Sequence, residues 1–375
     1  MQKKPLGLYI HWPFCLSKCP YCDFNSFVGK SIDVEAYTRA YLTELERFYR
    51  QTKYHHLKTI FFGGGTPSLM PAKLIEVTIQ KAFDLWESDS EMEITLEVNP
   101  STAEIGRFED FKKAGINRLS IGIQSFEDAQ LEFLGRGHSA REGMLAIELA
   151  QKIFDRVSFD LIYARPDQTT KQWEEELSLA LTFGTTHLSL YQLIIEPGTA
   201  FAPRYERGEI VLPEEDLAAD MYALTQELTD RAGFPAYEVS NHAVAGYESQ
   251  HNLIYWRYQD YVGVGPGAHG RYRGDGQKVA TEQHRAPEIW RRKVLFEHSG
   301  NVRTYTVTQE EQYREKLMMG LRLREGVWLD DMSCLKDHAL ENLVASGDIV
   351  SENNHLYLTP QGFPKLNAIL RYLMN

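Results

Sequence analysis

Three cysteines within eight residues, Cys15, Cys19 and Cys22 of YIHWPFCLSKCPYCDF, make the densest set of metal ligands in the chain. Their CxxxCxxC spacing lets one short loop wrap three thiolates around a single centre. Zinc takes four ligands, commonly as two separated pairs, and no second pair stands here. An iron–sulfur cubane normally takes four cysteines, so three leave one iron with an open coordination position. The amine and carboxylate of an amino acid could chelate that iron. The plainer alternatives are three structural cysteines or a small zinc site.

The elements that must position this loop are legible from periodicity. LGLYIHW (6–12) reads as a buried strand delivering the cysteines, and apolar spacing predicts a helix over 34–50. TIFFGGGTPS (59–68) reads as a strand and glycine-rich turn, followed by a helix near 71–86. Further strands are expected at 93–100, 118–124, 157–163 and 186–195, with helices near 103–114, 127–134, 140–153 and 170–183. Such alternation, six times over, points to parallel strands with crossover helices, as an open sheet or a barrel. In a barrel, function gathers at the C-terminal ends of the strands. Cys15, Gly63, Gly64, Gly65, Thr66, Glu97, Gln124, Asp160 and Gln192 all fall there.

Beyond these, a long amphipathic helix (212–234) and a strand-like YEVSN (237–241) precede a Gly/His/aromatic stretch, 251–272, with little regular pattern. Helices near 308–324 and 336–346, a hairpin (348–360) and a last helix then resemble a winged helix. The net charge of −12 argues against nucleic-acid binding, so a packing role is expected for that end. At 375 residues, 43% hydrophobic and 25% charged, the chain reads as a globular protein of two or three domains. No apolar run reaches the roughly 20 residues that cross a bilayer, and the start lacks the pattern of a signal peptide. Cys334 lies far from the other cysteines, so a reducing, cytoplasmic setting without disulfides is expected.

GGGTPS (63–68) lacks the lysine of a Walker loop, but its glycines allow close backbone approach to a ligand. Glu97 at a strand end could hold a ribose or an ammonium, or simply face solvent. Gln124, Arg136 and Asp160 stand at or just past strand ends, and together the four describe a polar pocket. In HNLIYW (251–256), His251 could ligate haem iron while Tyr255 and Trp256 pack on a porphyrin; a hydrogen-bonded loop histidine is the ordinary alternative. His242, His269 and a local excess of nine Lys/Arg over five Asp/Glu across 257–303 suit anionic haem propionates.

CxxxCxxC with Tyr21 before the last cysteine resembles the signature of the radical S-adenosylmethionine (radical SAM) superfamily. FFGGGTPS, ITLEVNP, NRLSIGIQSF, LGRGH, FDLIY, HLSLYQLIIEPGT, YEVSNHA, HNLIYW and GVGPGAH extend the resemblance to the HemW branch of its coproporphyrinogen oxidase-like family. The true dehydrogenases of that family carry a further cysteine where this chain has Phe24. The resemblance implies a partial (β/α)6 barrel followed by a smaller α+β, winged-helix-like C-terminal domain. The expected division is a core at 1–238, a connecting segment at 239–304 and a C-terminal domain at 305–375.

The resemblance also implies a [4Fe-4S] cluster on Cys15, Cys19 and Cys22. S-adenosylmethionine would lie against Tyr9, Gly64, Gly65, Thr66, Glu97, Gln124, Arg136 and Asp160, with His251 as the haem candidate. The implied function is a haem chaperone serving haem-accepting proteins; a coproporphyrinogen III dehydrogenase and a purely structural iron–sulfur protein are the alternatives. The reading leaves room for a homodimer and for transient contact with a membrane protein. The chain departs from the family at Ala164-Arg165-Pro166-Asp167, where Gly-Leu-Pro-Gly is usual, and at Trp12, where isoleucine is usual.

Overall fold

A computed structural model describes residues 3–29, 31–330, 335 and 337–374; Cys334 lies outside them. The expected parallel strands run in chain order as neighbours: β1 (Lys4–Trp12), β2 (His55–Gly64), β3 (Glu87–Val98), β4 (Arg118–Gln124), β5 (Arg156–Tyr163) and β6 (His187–Gln192). Crossovers run through α1 (Val34–Thr52), α2 (Ala72–Leu85), α3 (Ala140–Ile153) and α4 (Thr170–Thr182). Capping boxes start α3 (Ser139 with Glu142) and α4 (Thr169 with Gln172), satisfying the first free N–H groups of each. The helix expected over 103–114 is two pieces, Thr102–Ile105 and Phe108–Lys113, broken at Gly106 and Arg107.

The period-two alternation of these strands separates two kinds of surface. Leu8, Ile10, Ile60, Phe62, Leu96, Leu119, Ile121, Phe159, Leu161 and Leu188 belong to one buried core with the crossover helices. The alternate positions are mostly polar and meet one another inside the curve of the sheet. Arg118 Nη2 donates to Ser158 Oγ at 2.9 Å, and Ser158 Oγ donates to Ser120 Oγ at 3.2 Å. A polar interior is costly to close without a ligand or complete hydrogen bonding.

The long helix expected over 212–234 is α5 (Glu215–Arg231), while two stretches depart from the sequence reading. YEVSN forms a turn closed by Glu238, whose carboxylate accepts from the Ser240 N–H at 3.1 Å. The strand starts only at its end, as β7 (Asn241–Ala243), antiparallel to β6. The stretch that reads as irregular is ordered throughout: α6 (Gln250–Trp256), β8 (Asp260–Val264) and β9 (His269–Gly274). β8 pairs parallel with β1, Leu6 against Asp260 through Ile10 against Val264. β9, β10 (Gln277–Gln283) and β11 (Asn301–Thr306) continue antiparallel, giving the order β11-β10-β9-β8-β1-β2-β3-β4-β5-β6-β7.

A second core unites α7 (Gln309–Gly320), β12 (Val327–Trp328), α8 (Asp337–Ala345), β13 (Ile349–Glu352), β14 (His355–Leu358) and α9 (Leu366–Met374). The hairpin β13–β14 pairs with β12 into a small antiparallel sheet.

Candidate functional site

β1 and β2 end side by side, and their loops are stitched together. The Gly65 N–H donates to Trp12 O at 2.7 Å and the Thr66 N–H to Phe14 O at 2.9 Å. Glycine is required here by space. A Cβ on Gly65 would stand 2.9 Å from Cys15 Sγ and from Phe14 O; one on Gly64, at φ +116°, would stand 2.7 Å from the His11 ring. The glycine turn is thus pressed directly against the first cysteine.

A cavity of about 500 Å³ opens over this junction at the C-terminal ends of the strands. Cys15, Cys19 and Cys22, all free thiols, line it together with Gly64, Gly65, Thr66, Glu97, Gln124, Arg136 and Asp160. Of the residues expected around S-adenosylmethionine, one stands apart. Tyr9 lines a neighbouring, smaller cavity, and its hydroxyl lies 2.9 Å from His11 Nδ1. Gln192 also reaches the first cavity, while its Nε2 donates to Ala218 O at 2.8 Å.

The carboxylates are held in an unusual state. Burial, then the nearby charge of Asp160, pushes Glu97 up to about 8, against one Gly64 N–H donor at 3.2 Å. Burial likewise raises Asp160 to about 6, opposed by a hydrogen bond from Ser189 and by Arg118 and Arg136. Two carboxyl groups that resist ionising beside a cavity favour a cationic or hydroxyl-bearing ligand, which would return them to the charged, hydrogen-bonded state. Burial also raises the thiols of Cys15 and Cys22. A bound metal centre would reverse that preference.

Gln124 sits at φ 73° where the β4–β5 register slips, a backbone state costing on the order of 1–3 kcal/mol outside glycine. Arg136 braces the opposite wall. Its Nη2 donates to Asn99 Oδ1 at 2.6 Å and to Gly122 O at 2.8 Å, and its Nη1 lies 3.5 Å from Cys19 Sγ. Its Nε is buried without a partner among the described residues. Asn99 and Gly122 escaped the sequence reading. Their signals were an Asn-Pro strand end and a glycine inside a strand, where close approach is common.

His251 is turned inward. Only 1% exposed, its ring stacks on Phe61 at 5.0 Å, with Nδ1 2.7 Å from Thr59 Oγ1 and Nε2 2.8 Å from Tyr255 Oη. Burial drives its pKa down to about 3. As an axial haem ligand it would have to give up one of these bonds and leave its enclosure. The expected basic excess is largely neutralised: Arg257, Arg271, Lys278, Arg291, Lys293 and Arg303 pair with carboxylates.

The radical SAM superfamily model matches residues 9–180, and the HemN C-terminal domain model matches 307–364. Haem chaperone HemW of Escherichia coli (strain K12) is 41% identical over 286 residues, 76% of this chain and 75% of that protein. The chain belongs to the HemW family of radical SAM proteins. A mitochondrial radical S-adenosyl methionine domain-containing protein 1 of Danio rerio is 38% identical over 326 residues, 86% of this chain and 73% of that protein. The solved coproporphyrinogen III oxidase HemN of Escherichia coli superposes with a TM-score of 0.80 at 19% identity, covering 99% of this chain and 90% of that one. That likeness establishes a shared fold, an α/β radical SAM architecture with a smaller C-terminal unit.

Membership of the HemW family implies a [4Fe-4S] cluster and S-adenosylmethionine, and the cavity suits both. Among the described residues no three His, Cys, Asp or Glu side chains converge on a single-ion site. The three thiols line one roomy cavity, with space for a multi-iron centre beside them. The raised carboxyls of Glu97 and Asp160 and the glycine turn are groups of the kind that would suit an ammonium and ribose hydroxyls. Among the described residues no helix is long and apolar enough to cross a membrane.

The HemW-family loop after Asp160 carries this chain's own solution. Ala164 (φ 54°) and Asp167 (φ 57°) occupy left-handed backbone at the positions where glycine is usual. Arg165, 1% exposed, replaces an apolar residue, and its Nη2 meets Glu176 Oε2 at 2.6 Å. Glu176 also accepts from Ser125 Oγ at 2.6 Å and the Phe126 N–H at 2.9 Å, tying this loop to the one after β4.

Proposed function

We propose that this protein is a haem chaperone: it binds haem and passes it to haem-requiring proteins, and its compartment is cytoplasmic. In this reading Cys15, Cys19 and Cys22 hold a [4Fe-4S] cluster, and S-adenosylmethionine occupies the rest of the 500 Å³ cavity. The observation that carries it is the shared cavity wall of three free thiols, the glycine turn and the two raised carboxyls, in a chain with HemW relatives. When bound, such a cluster supplies an electron and one open iron position. Gly64, Gly65 and Thr66 present backbone groups to the amino-acid end of the nucleoside. Glu97 and Asp160 accept hydrogen bonds from its ammonium or ribose, Gln124 orients it, and Arg136 screens Cys19.

The test is anaerobic reconstitution followed by iron assay, S-adenosylmethionine binding, haemin titration and transfer to an apo-haem protein. Cluster iron, stoichiometric nucleoside binding and haem transfer are expected. Conversion of coproporphyrinogen III without any haem transfer would instead establish a dehydrogenase.

A further inference from the structure

The end of β4 is fastened on both sides of Gln124 and left free at Gln124 itself. Before it, Arg136 Nη2 donates to Gly122 O at 2.8 Å, and His138 Nε2 stands 3.1 Å from Ile123 O. After it, Ser125 Oγ and the Phe126 N–H both donate to one oxygen of Glu176, at 2.6 and 2.9 Å. Gln124 lies between these anchors at φ 73° and lines the cavity. Its side-chain amide makes no hydrogen bond among the described residues. Gly122 leaves room for that amide: a Cβ built there would stand 3.0 Å from Gln124 Nε2.

Glu176 is held in turn from behind. Its other oxygen meets Arg165 Nη2 at 2.6 Å and accepts from Gln168 Nε2 at 3.5 Å. Arg165 Nη1 donates to Ser125 Oγ, and the Arg165 N–H donates to Gln168 Oε1 at 3.2 Å, which closes the ring. The exposed Glu127, 3.7 Å from Arg165 Nη2, is the second carboxylate near this guanidinium. Ser125, Arg165, Gln168 and Glu176 are all buried, and none of them lines the cavity. Removing such charges from water offsets most of what their attraction returns. What they fix is the place of Ser125 and Phe126. Left-handed backbone at a residue other than glycine persists only where its surroundings over-determine it, and the anchors on either side of Gln124 do so.

We propose that Glu176, oriented by Arg165, is a positioning residue for the nucleoside site: it holds the turn after β4 so that the Gln124 amide faces S-adenosylmethionine. This rests on the cofactor reading above and adds how a side chain outside the cavity shapes one of its walls. Released from Glu176, Gln124 leaves its strained backbone state and its amide leaves the cavity. The loop after β5 and the start of α4 are thereby tied to cofactor binding without touching the cofactor.

The experiment is S-adenosylmethionine binding to the anaerobically reconstituted full chain, run as a double-mutant cycle over Glu176→Ala and Gln124→Ala. Lys171→Ala, at an exposed position of α4, is the control, and cluster iron is assayed in every sample. Each single change in the cycle should weaken binding about tenfold, and Lys171→Ala should not. The double variant should bind no worse than the weaker single, because both changes remove the same amide. A merely structural role for Glu176 would instead multiply the two losses. Multiplied losses, or wild-type affinity in Glu176→Ala, overturn the positioning role while leaving the cofactor reading intact. If Glu176→Ala fails to retain cluster iron, Ser125→Ala takes its place in the cycle, since it spares the Arg165–Glu176 pair. A loss of about threefold is then expected, again absorbed in the double variant, and the same two results overturn the proposal. Wild type that holds cluster iron but binds no S-adenosylmethionine removes the cofactor reading, and this proposal with it.

Discussion

Glu93, buried, and Glu97, half-buried at the cavity, lie on the same strand and point to the same interior, yet they live opposite lives. Glu93 is saturated: Arg156 Nη2 stands 3.1 Å and Arg118 Nε 3.9 Å away, and the N–H groups of Gln250 and His251 each donate at 3.1 Å. It thereby caps the start of α6. Glu97, two periods of the alternation further on, has a single backbone donor and is pushed up to about 8. The N-terminal ends of the strands satisfy their own charges, and the C-terminal ends leave theirs for something else. Stability and ligand capture are thus divided along one strand.

The sharpest way to break this comparison is to delete each carboxylate in turn. Glu93→Ala leaves the buried Arg118 and the half-buried Arg156 without their carboxylate and should cost about 3–5 kcal/mol in urea denaturation. A loss below about 1 kcal/mol would contradict its role as the anchor of α6. Glu97→Gln should leave stability at pH 8 unchanged or higher, while weakening S-adenosylmethionine binding about tenfold or more. Equal destabilisation by both substitutions would erase the contrast.

The same division predicts opposite responses to pH. Glu97 and Asp160 are raised in the folded chain, so between pH 5 and 8 the unfolded state sheds protons first, and stability without ligand falls as pH rises. Asp260 is the reverse case. Burial opposes its ionisation, but His55 at 2.8 Å and Lys278 at 2.6 Å outweigh that and lower it to about 2. Its contribution is present above pH 4 and is lost as pH falls through about 2. Urea midpoints at pH 5 and 8 check the first sign, and Glu97→Gln should flatten that slope. The smallest effect is expected at Ala164→Gly, which relieves a φ of 54° and should stabilise by about 1 kcal/mol in thermal melts.

Most of the upper end was legible in the sequence because its chemistry demands particular residues at strand ends. CxxxCxxC, GGGT, Glu97, Gln124, Arg136 and Asp160 needed only the alternation to bring them to one cavity. The lower end was not. Glu93 reads as an ordinary strand residue until α6 arrives, and α6 is a seven-residue helix too short to show a period. β8, DYVGV, is five residues long with a parallel partner at the far end of the chain, so no local signal announces its pairing with β1. The break of the predicted 103–114 helix follows from Gly106, and the late start of β7 from the Glu238 turn. Arg165 was visible as a departure, but its partner Glu176 lies on a helix whose register only packing reveals.

The pairing of β1 with β8 has a consequence for biosynthesis. During translation β1, which leads into the cysteine loop, is made well before β8, the strand that covers its open edge some two hundred and fifty residues later. For that interval the nascent chain exposes an unprotected ribbon, the kind of edge that recruits other polypeptides. The cysteine loop therefore gains its neighbouring strand only once β8 has been made, and a version cut before Asp260 would emerge sticky rather than merely incomplete.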